Sequence, residues 1–263
     1  MSIKTDKRAK EILHLLLSHG KASVEELTEA LGTSPASIRR DLIRLETRGL
    51  VNRTLGGAML AGNGNPVYEP FRFDASFQVR EDRFAAEKQR IARAAAALVQ
   101  ENETIGFSAG TTTTLVARQL LHRRNISIIT NAVNIGMELS SSNRLHTTLT
   151  GGTLRWAGAF SLVGPMAIES LAVVVMDRLF ISATGVDAER GATLIQPDEA
   201  AVFRAMTRQA RQVIVVADSS KMGLVSPAVI CAPKEIDLLI TDDGISQETA
   251  NAFAAGGVKM LAV

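Results

Sequence analysis

SPASIRRDLIRLETRGLVNRTLGG, residues 34–57, predicts a helix, a strand and a turn in that order. Ser34 offers a hydroxyl to the free N–H groups of a helix start. Pro35 takes the first helical position, where its missing N–H had no partner to lose. Ile38, Leu42 and Leu45 recur at i, i+4 and i+7 and make one buried stripe. At 100° per residue Arg40, Arg44 and Thr47 face the other way, with Ser37 near the N-terminal edge. Gly49 stops the helix. LVNRTLGGAML then reads as strand, Gly56–Gly57 turn and strand, a wing that carries Arg53.

Upstream the helix signals are equally well punctuated. Thr5 caps a helix with Ile12, Leu13 and Leu16 on one side, and Gly20 ends it. Ser23 with Glu26 three residues on is a capping box for a short helix through Leu31, closed by Gly32. Two short helices joined by a tight turn outline a helix-turn-helix, whose second helix can lie in the major groove. The candidate DNA contacts are Ser34, Ser37, Arg39, Arg40, Arg44 and Arg53. Three amphipathic helices also suit a dimerisation or partner domain. The conjunction of turn, caps, aligned arginines and basic wing favours DNA.

The chain has 263 residues, enough for two domains, and is 46% apolar and 21% charged, which argues against disorder. No apolar run approaches the ~20 residues of a membrane span, and the charged N-terminus MSIKTDKRAKEIL lacks a signal-peptide core. Cys231 is the one cysteine, which fits a reducing cytoplasm. Histidines 14, 19, 122 and 146 are scattered, so no metal site is expected and no cofactor is implied. Residues 1–60 hold ten Lys/Arg against seven Asp/Glu, a modest excess that is weak support for nucleic acid by itself.

Residues 61–84 carry prolines and glycines without helical period and read as a linker with packed aromatics Tyr68, Phe71, Phe73 and Phe77. From Ala85 an alanine-rich helix begins. Beyond it, apolar runs at 104–107, 126–130, 145–149, 178–183, 213–217, 236–241 and 258–263 alternate with helix-like stretches at 112–121, 132–140, 165–173, 198–211 and 247–255. The pattern predicts an open, mostly parallel α/β sheet over 85–263 with helices on both faces. Ligands of such sheets bind at the carboxyl ends of the strands. There the chain has SAGTTTT (108–114), Asn131, TGGTLRW (150–156) with Trp156 at the rim, Asp187, and DSSKMG with Lys221. A helix starting near Thr112 offers N–H groups and its positive dipole end, and Gly110 lets the backbone approach an anion. The set suits a compact, anionic, hydroxylated molecule. Taken singly, the threonines also read as caps, TGGT as a turn and Lys221 as a solvated lysine. No lysine follows Gly110 as in a P-loop, and no GxGxxG is present, which disfavours a nucleotide.

ASIRRDLIRLETRGLVNRTLGGA resembles the signature of the DeoR family of bacterial transcriptional regulators. REDR…EKQRIARAAAALV, SAGTTT, SIITNAVNI, TGGTLR, TGVD and ADSSKMG extend the likeness along most of the chain. The resemblance implies a winged helix over 1–60 and a domain that senses small phosphorylated sugars or related metabolites, its fold similar to ribose-5-phosphate isomerase. By the same resemblance Gly110, Thr111 and Thr112, with Thr113 beside them, hold the phosphate. Asn131, Gly152, Asp187 and Lys221 then lie near the sugar. The family usually has Asp two residues before the glycine. Here that position is Ser108, a neutral hydroxyl, which implies a different grip on the ligand at that end.

The sequence thus predicts a cytoplasmic, non-enzymatic, homo-oligomeric repressor (dimer or tetramer) of a carbohydrate operon, binding double-stranded operator DNA under metabolite control. The rival is a sugar-phosphate isomerase using Asp187, Glu199 and Lys221, which would have no need of residues 1–60.

Overall fold

Ser23 accepts the Glu26 N–H (3.0 Å) while Glu26 Oε2 accepts the Ser23 N–H (2.7 Å), so the capping box closes. Gly32 ends the same helix in the left-handed region, at φ +55°. The computed structural model describes residues 8–9, 11–13, 15–16, 20–47, 51–60, 77–155 and 160–263. Thr5, Gly49, Tyr68, Phe71, Phe73 and Trp156 lie outside the described residues. The chain divides into two compact units, Met1–Ala75 and Ser76–Val263.

In the first unit, helical residues 8–9, 11–13 and 15–16 (α1) precede β1 (Lys21–Ser23), α2 (Val24–Leu31), α3 (Pro35–Thr47), β2 (Val51–Thr54) and β3 (Gly57–Leu60). Ile12, Leu16, Val24, Leu27, Ile38, Leu42, Leu45, Val51 and Ala58 form its core. All three stripe residues of α3 are among them. The wing differs from expectation in two ways. It has a third strand, because β1 pairs with β3, giving the antiparallel order β1-β3-β2. Its turn is Leu55–Gly56 rather than Gly56–Gly57, since Thr54 and Gly57 are already paired. Gly56 supplies the positive φ of +84°.

The second unit runs α4 (Phe77–Asp82), α5 (Ala85–Ala97), β4 (Thr104–Phe107), α6 (Thr111–Gln119), β5 (Ile126–Thr130), α7 (Val133–Leu139), β6 (Leu145–Leu149), β7 (Thr153–Arg155), β8 (Ser161–Val163), α8 (Pro165–Leu171), β9 (Arg178–Ile181), β10 (Gly185–Asp187), β11 (Gly191–Leu194), α9 (Pro197–Arg208), β12 (Val213–Val216), β13 (Ala228–Cys231), β14 (Leu238–Thr241), α10 (Gln247–Ala255) and β15 (Met260–Ala262). Seven of these strands form one parallel sheet in the order β15-β14-β12-β9-β4-β5-β6. They are the seven apolar runs of the sequence. The strand order runs outward from β4 in both directions, so the right-handed crossover rule puts α6 and α7 on one face and α9 and α10 on the other. The stacked rings of Phe107 and Phe180, centroids 5.5 Å apart, sit on the neighbouring strands β4 and β9.

Residues 77–82, read above as linker, are the helix α4. Six residues are too few to display a period, and the helix is held by tertiary partners: Phe77 meets the Phe160 ring edge-on (5.6 Å), and Glu81 pairs with Arg118. The antiparallel sheet β10-β11-β13 and the pair β7-β8 were not foreseen either.

Candidate functional site

On α3, Arg39, Arg40 and Arg44 are exposed while Ile38, Asp41, Leu42 and Leu45 are buried. Ser34 Oγ accepts the Ser37 N–H (3.3 Å) and hydrogen-bonds Ser37 Oγ (3.0 Å), which caps the helix. Asp41 is 2% exposed and receives Arg8 Nε at 2.5 Å, with Arg44 Nη1 at 3.7 Å. It therefore fixes α1 to α3 and leans Arg44 along the helix. Arg53 of the wing stands 3.7 Å from Glu46. Arg53–Glu46 is an exposed pair of the kind worth at most about 1 kcal/mol, easily exchanged for a phosphate, and Arg44, itself exposed, stands at the long distance of 3.7 Å from the buried Asp41. Arg39 and Arg40 make no ion pair among the described residues. Leu55 at the wing tip is fully exposed, an apolar residue at a tip that the sequence reading passed over. Arg40→Ala is expected to lower affinity for a specific operator by about 1–3 kcal/mol. An unchanged dissociation constant in fluorescence anisotropy would remove Arg40 from the readout.

The second surface follows from sheet order. From β4 the chain steps through β5 to β6, then returns to place β9 on the other side of β4, so the topological switch lies between β4 and β9. This is where open α/β sheets bind ligands. The Ser182 N–H donates to Ser108 Oγ (3.0 Å), and Ser182 Oγ donates to Ala109 O (2.7 Å), lacing the two strand ends together. A Cβ on Gly110 would lie 2.1 Å from Ser182 Oγ, which is why only glycine fits there. α6 then begins. Thr113 and Thr114 hydroxyls both donate to Gly110 O (3.0 and 2.7 Å). Thr111 and Thr112 are nearly buried, and their hydroxyls have no hydrogen-bond partner among the described residues. The N–H groups of this first turn have no acceptor within the helix.

Several expected ligand contacts are instead committed to the protein. Ser108 is fully buried, its oxygen turned toward β9 because residue 108 continues the β4 ladder (its N–H donates to Phe180 O, 3.0 Å). Thr113 is tied to its own turn. Asn131 Oδ1 accepts the Ala109 N–H (3.0 Å) and its Nδ2 donates to Leu162 O (3.2 Å), so the amide clamps the loop from behind. Gly152, at φ +108°, has room for no side chain beneath Val163 O. Asp187 Oδ1 accepts the N–H groups of Glu189 and Arg190 (2.9 Å each) and caps the β10–β11 turn.

Lys221 follows β12, two strands or about 10 Å along the same edge from β4. It is joined there by Lys88 of α5, which the sequence reading did not single out: both ammonium groups feel the Asp218 carboxylate and the guanidinium groups of Arg80 (α4) and Arg83. Lys88 is 5% exposed and donates to the carbonyls of Arg80 and Arg83, the latter at 2.7 Å. Burial lowers its pKa from 10.5 to about 8; Asp218 opposes the shift, while Lys221, Arg80 and Arg83 add to it. Burial lowers Lys221 as well, with Asp218 again opposing. A fall from 10.5 to about 8 is roughly 3 kcal/mol against the charged form. A chain keeps such a lysine where a buried positive charge has a use. The signal was present in the sequence: Lys88 stands on the same stripe of α5 as Ile91, Ala92 and Ala95.

Two family models account for both surfaces. Residues 8–63 match the DeoR-like helix-turn-helix domain and residues 83–243 the DeoR C terminal sensor domain. The chain belongs to the DeoR family. It is 35% identical over 254 residues to the HTH-type transcriptional regulator GlpR of Haloferax volcanii, covering 97% of this chain and 96% of the relative. It is 32% identical over 256 residues to the HTH-type transcriptional repressor GlcR of Bacillus subtilis, covering 97% and 95%. As a DeoR-family member it is a DNA-binding transcriptional regulator, and α3 with its wing lies inside the matched DNA-binding segment. No helix among the described residues is long and apolar enough to cross a membrane.

Proposed function

We propose that this regulator binds a small phosphorylated sugar or related metabolite at the β4–β9 switch, and that this ligand governs its grip on operator DNA. The observation that carries the reading is the pairing of two unpartnered hydroxyls, Thr111 and Thr112, on a helix N-terminus with the cation cluster of Lys88 and Lys221 on the same sheet edge. Hydroxyls and N–H groups read the anion's oxygens, and the ammonium groups neutralise its charge. In this reading Ser34, Ser37, Arg39, Arg40, Arg44 and Arg53 contact DNA. Gly110, Thr111, Thr112 and Lys221 contact the effector, while Ser108, Thr113, Asn131, Gly152 and Asp187 shape the loops that present them. Relatives named as repressors support repression, and the effector's chemistry supports a carbohydrate operon. Two half-sites on DNA call for a homo-oligomer, and a DNA target supports a cytoplasmic location.

The isomerase reading weakens on geometry. Its acid–base candidates are engaged elsewhere: Asp187 caps a turn, and Glu199 meets Arg155 at 3.6 Å, both side chains mostly buried.

Thermal unfolding of the full chain against a panel of sugars and their phosphates tests the site. A true effector at 100 times its dissociation constant adds about 2.7 kcal/mol. The phosphosugar should stabilise, the free sugar should not, and Thr111→Val should lose the effect. A flat response across the panel returns the threonines to ordinary helix capping.

A pH dependence follows from Lys88. An anion raises the pKa of a neighbouring ammonium, so binding takes up a proton above the free-state value of about 8. Affinity should be constant between about pH 7, where the phosphate is fully ionised, and that value, and fall toward tenfold per unit above it, measurable by calorimetry in two buffers of different ionisation heat. Folding runs the other way. The unfolded chain holds this proton up to 10.5 and the native chain only to about 8, so Lys88's contribution to stability rises with pH between them.

A further inference from the structure

α4 is the first element of the second unit, where the chain arrives from the winged unit. It is six residues long and, besides the Phe77–Phe160 ring contact, is anchored at two polar points. At its C-terminal end, Lys88 Nζ donates to Arg80 O and Arg83 O, carbonyls left open by the end of the helix. In the same last turn, Glu81 pairs with Arg118, whose Nε and Nη2 also bind Glu138 of α7 (2.6 and 2.9 Å). Arg118 belongs to the last turn of α6, the helix whose first turn carries Thr111 and Thr112. The corner between α4 and α5 is made by Phe84 in the left-handed region, φ +55°, with the Arg83 guanidinium 5.1 Å from its ring centroid. A phenylalanine holds that conformation only when its surroundings impose it, and Lys88, bonded to Arg83 O just ahead of it, is part of what imposes it.

The groups facing Lys88 are Arg80 and Arg83 from α4 and its corner, and Lys221 and Asp218 from the loop after β12. Arg80, Arg83 and Lys221 each disfavour the charged form of Lys88, and an added anion relieves that repulsion. We propose that Lys88 couples the effector's anion to α4: the ammonium that caps Arg80 and Arg83 also faces the bound anion, so occupancy tightens α4 against α5. This rests on the anion-site reading above. Effector charge thereby acts on the first helix of the second unit.

Hydrogen exchange on the full chain, with and without inorganic phosphate, tests this by comparing peptides 77–84 and 109–116. Phosphate should slow both with one half-saturation concentration, and α4 by about fivefold or more, as a coupling of ordinary size requires. Protection of 109–116 alone would overturn the coupling and leave the anion site standing. Protection of neither would overturn both. In Lys88→Met, α4 should exchange fast with or without phosphate, while 109–116 still responds at higher concentration. An α4 as protected as in the wild type would refute the role of Lys88. Should Lys88→Met fail to fold, the two wild-type peptides decide the matter alone.

Discussion

Gly57→Ala is expected to destabilise the winged unit strongly and to weaken operator binding. Gly57 opens β3 opposite Ser23 of β1. A Cβ there would lie 2.2 Å from Ala22 O and 2.8 Å from Ser23 Cα. Both are backbone atoms of a strand that leads directly into the capping box of α2, and Val24 N–H donates to Gly56 O (2.8 Å) across the same contact. Neither can swing aside, so β1 must part from β3. Overpacking of this kind costs about 3 kcal/mol or more, against a total of roughly 4–11 kcal/mol for a unit of this size. Gly56→Ala is the control: the added Cβ meets nothing within 4 Å, and the positive φ alone costs about 1 kcal/mol. Operator affinity by anisotropy, with circular dichroism on the same samples, reads both variants. A Gly57→Ala protein that binds and melts as the wild type does would sink the three-stranded account of the wing.

The second large effect is on the sensor. Lys221→Met keeps the length of the side chain and removes one of the two ammonium groups beside Asp218. Hydrogen bonds to charged groups are worth about 1.5–3 kcal/mol, so affinity for a phosphorylated effector should fall roughly ten- to hundredfold. Because Lys221 disfavours the charged form of Lys88, the same change should leave thermal stability without ligand equal or slightly higher. Loss of binding accompanied by a lower melting temperature would instead make Lys221 a structural residue.

The sequence displayed the main sheet well because parallel strands buried on both faces are continuous apolar runs, as in Val213–Val216. The strands it hid are short and antiparallel: β7, β8 and β10 have three residues each, too few for alternation to register. In the candidate site, the glycine, the threonines and Lys221 were visible as residue types. Ser182 was not, since its importance arises only from β9 lying beside β4, and its partner Ser108 is 74 residues away. Nor could the sequence separate residues that offer donors from those already using them. Thr111 and Thr113 look alike in the chain, and only the placement of Gly110 O distinguishes them.

The position of β4 in the sheet also sets an order of events during synthesis. β4 gains one neighbour, β5, within about twenty residues, but its other neighbour β9 is made only at 178–181, and the far edge closes with β15 at 260–262. The wing ends at Leu60. At about 5–20 residues per second, the remaining two hundred residues take roughly 10–40 s. For that interval the nascent chain carries a DNA-reading domain with no completed sensor behind it. Its earliest encounters with nucleic acid therefore take place without effector control.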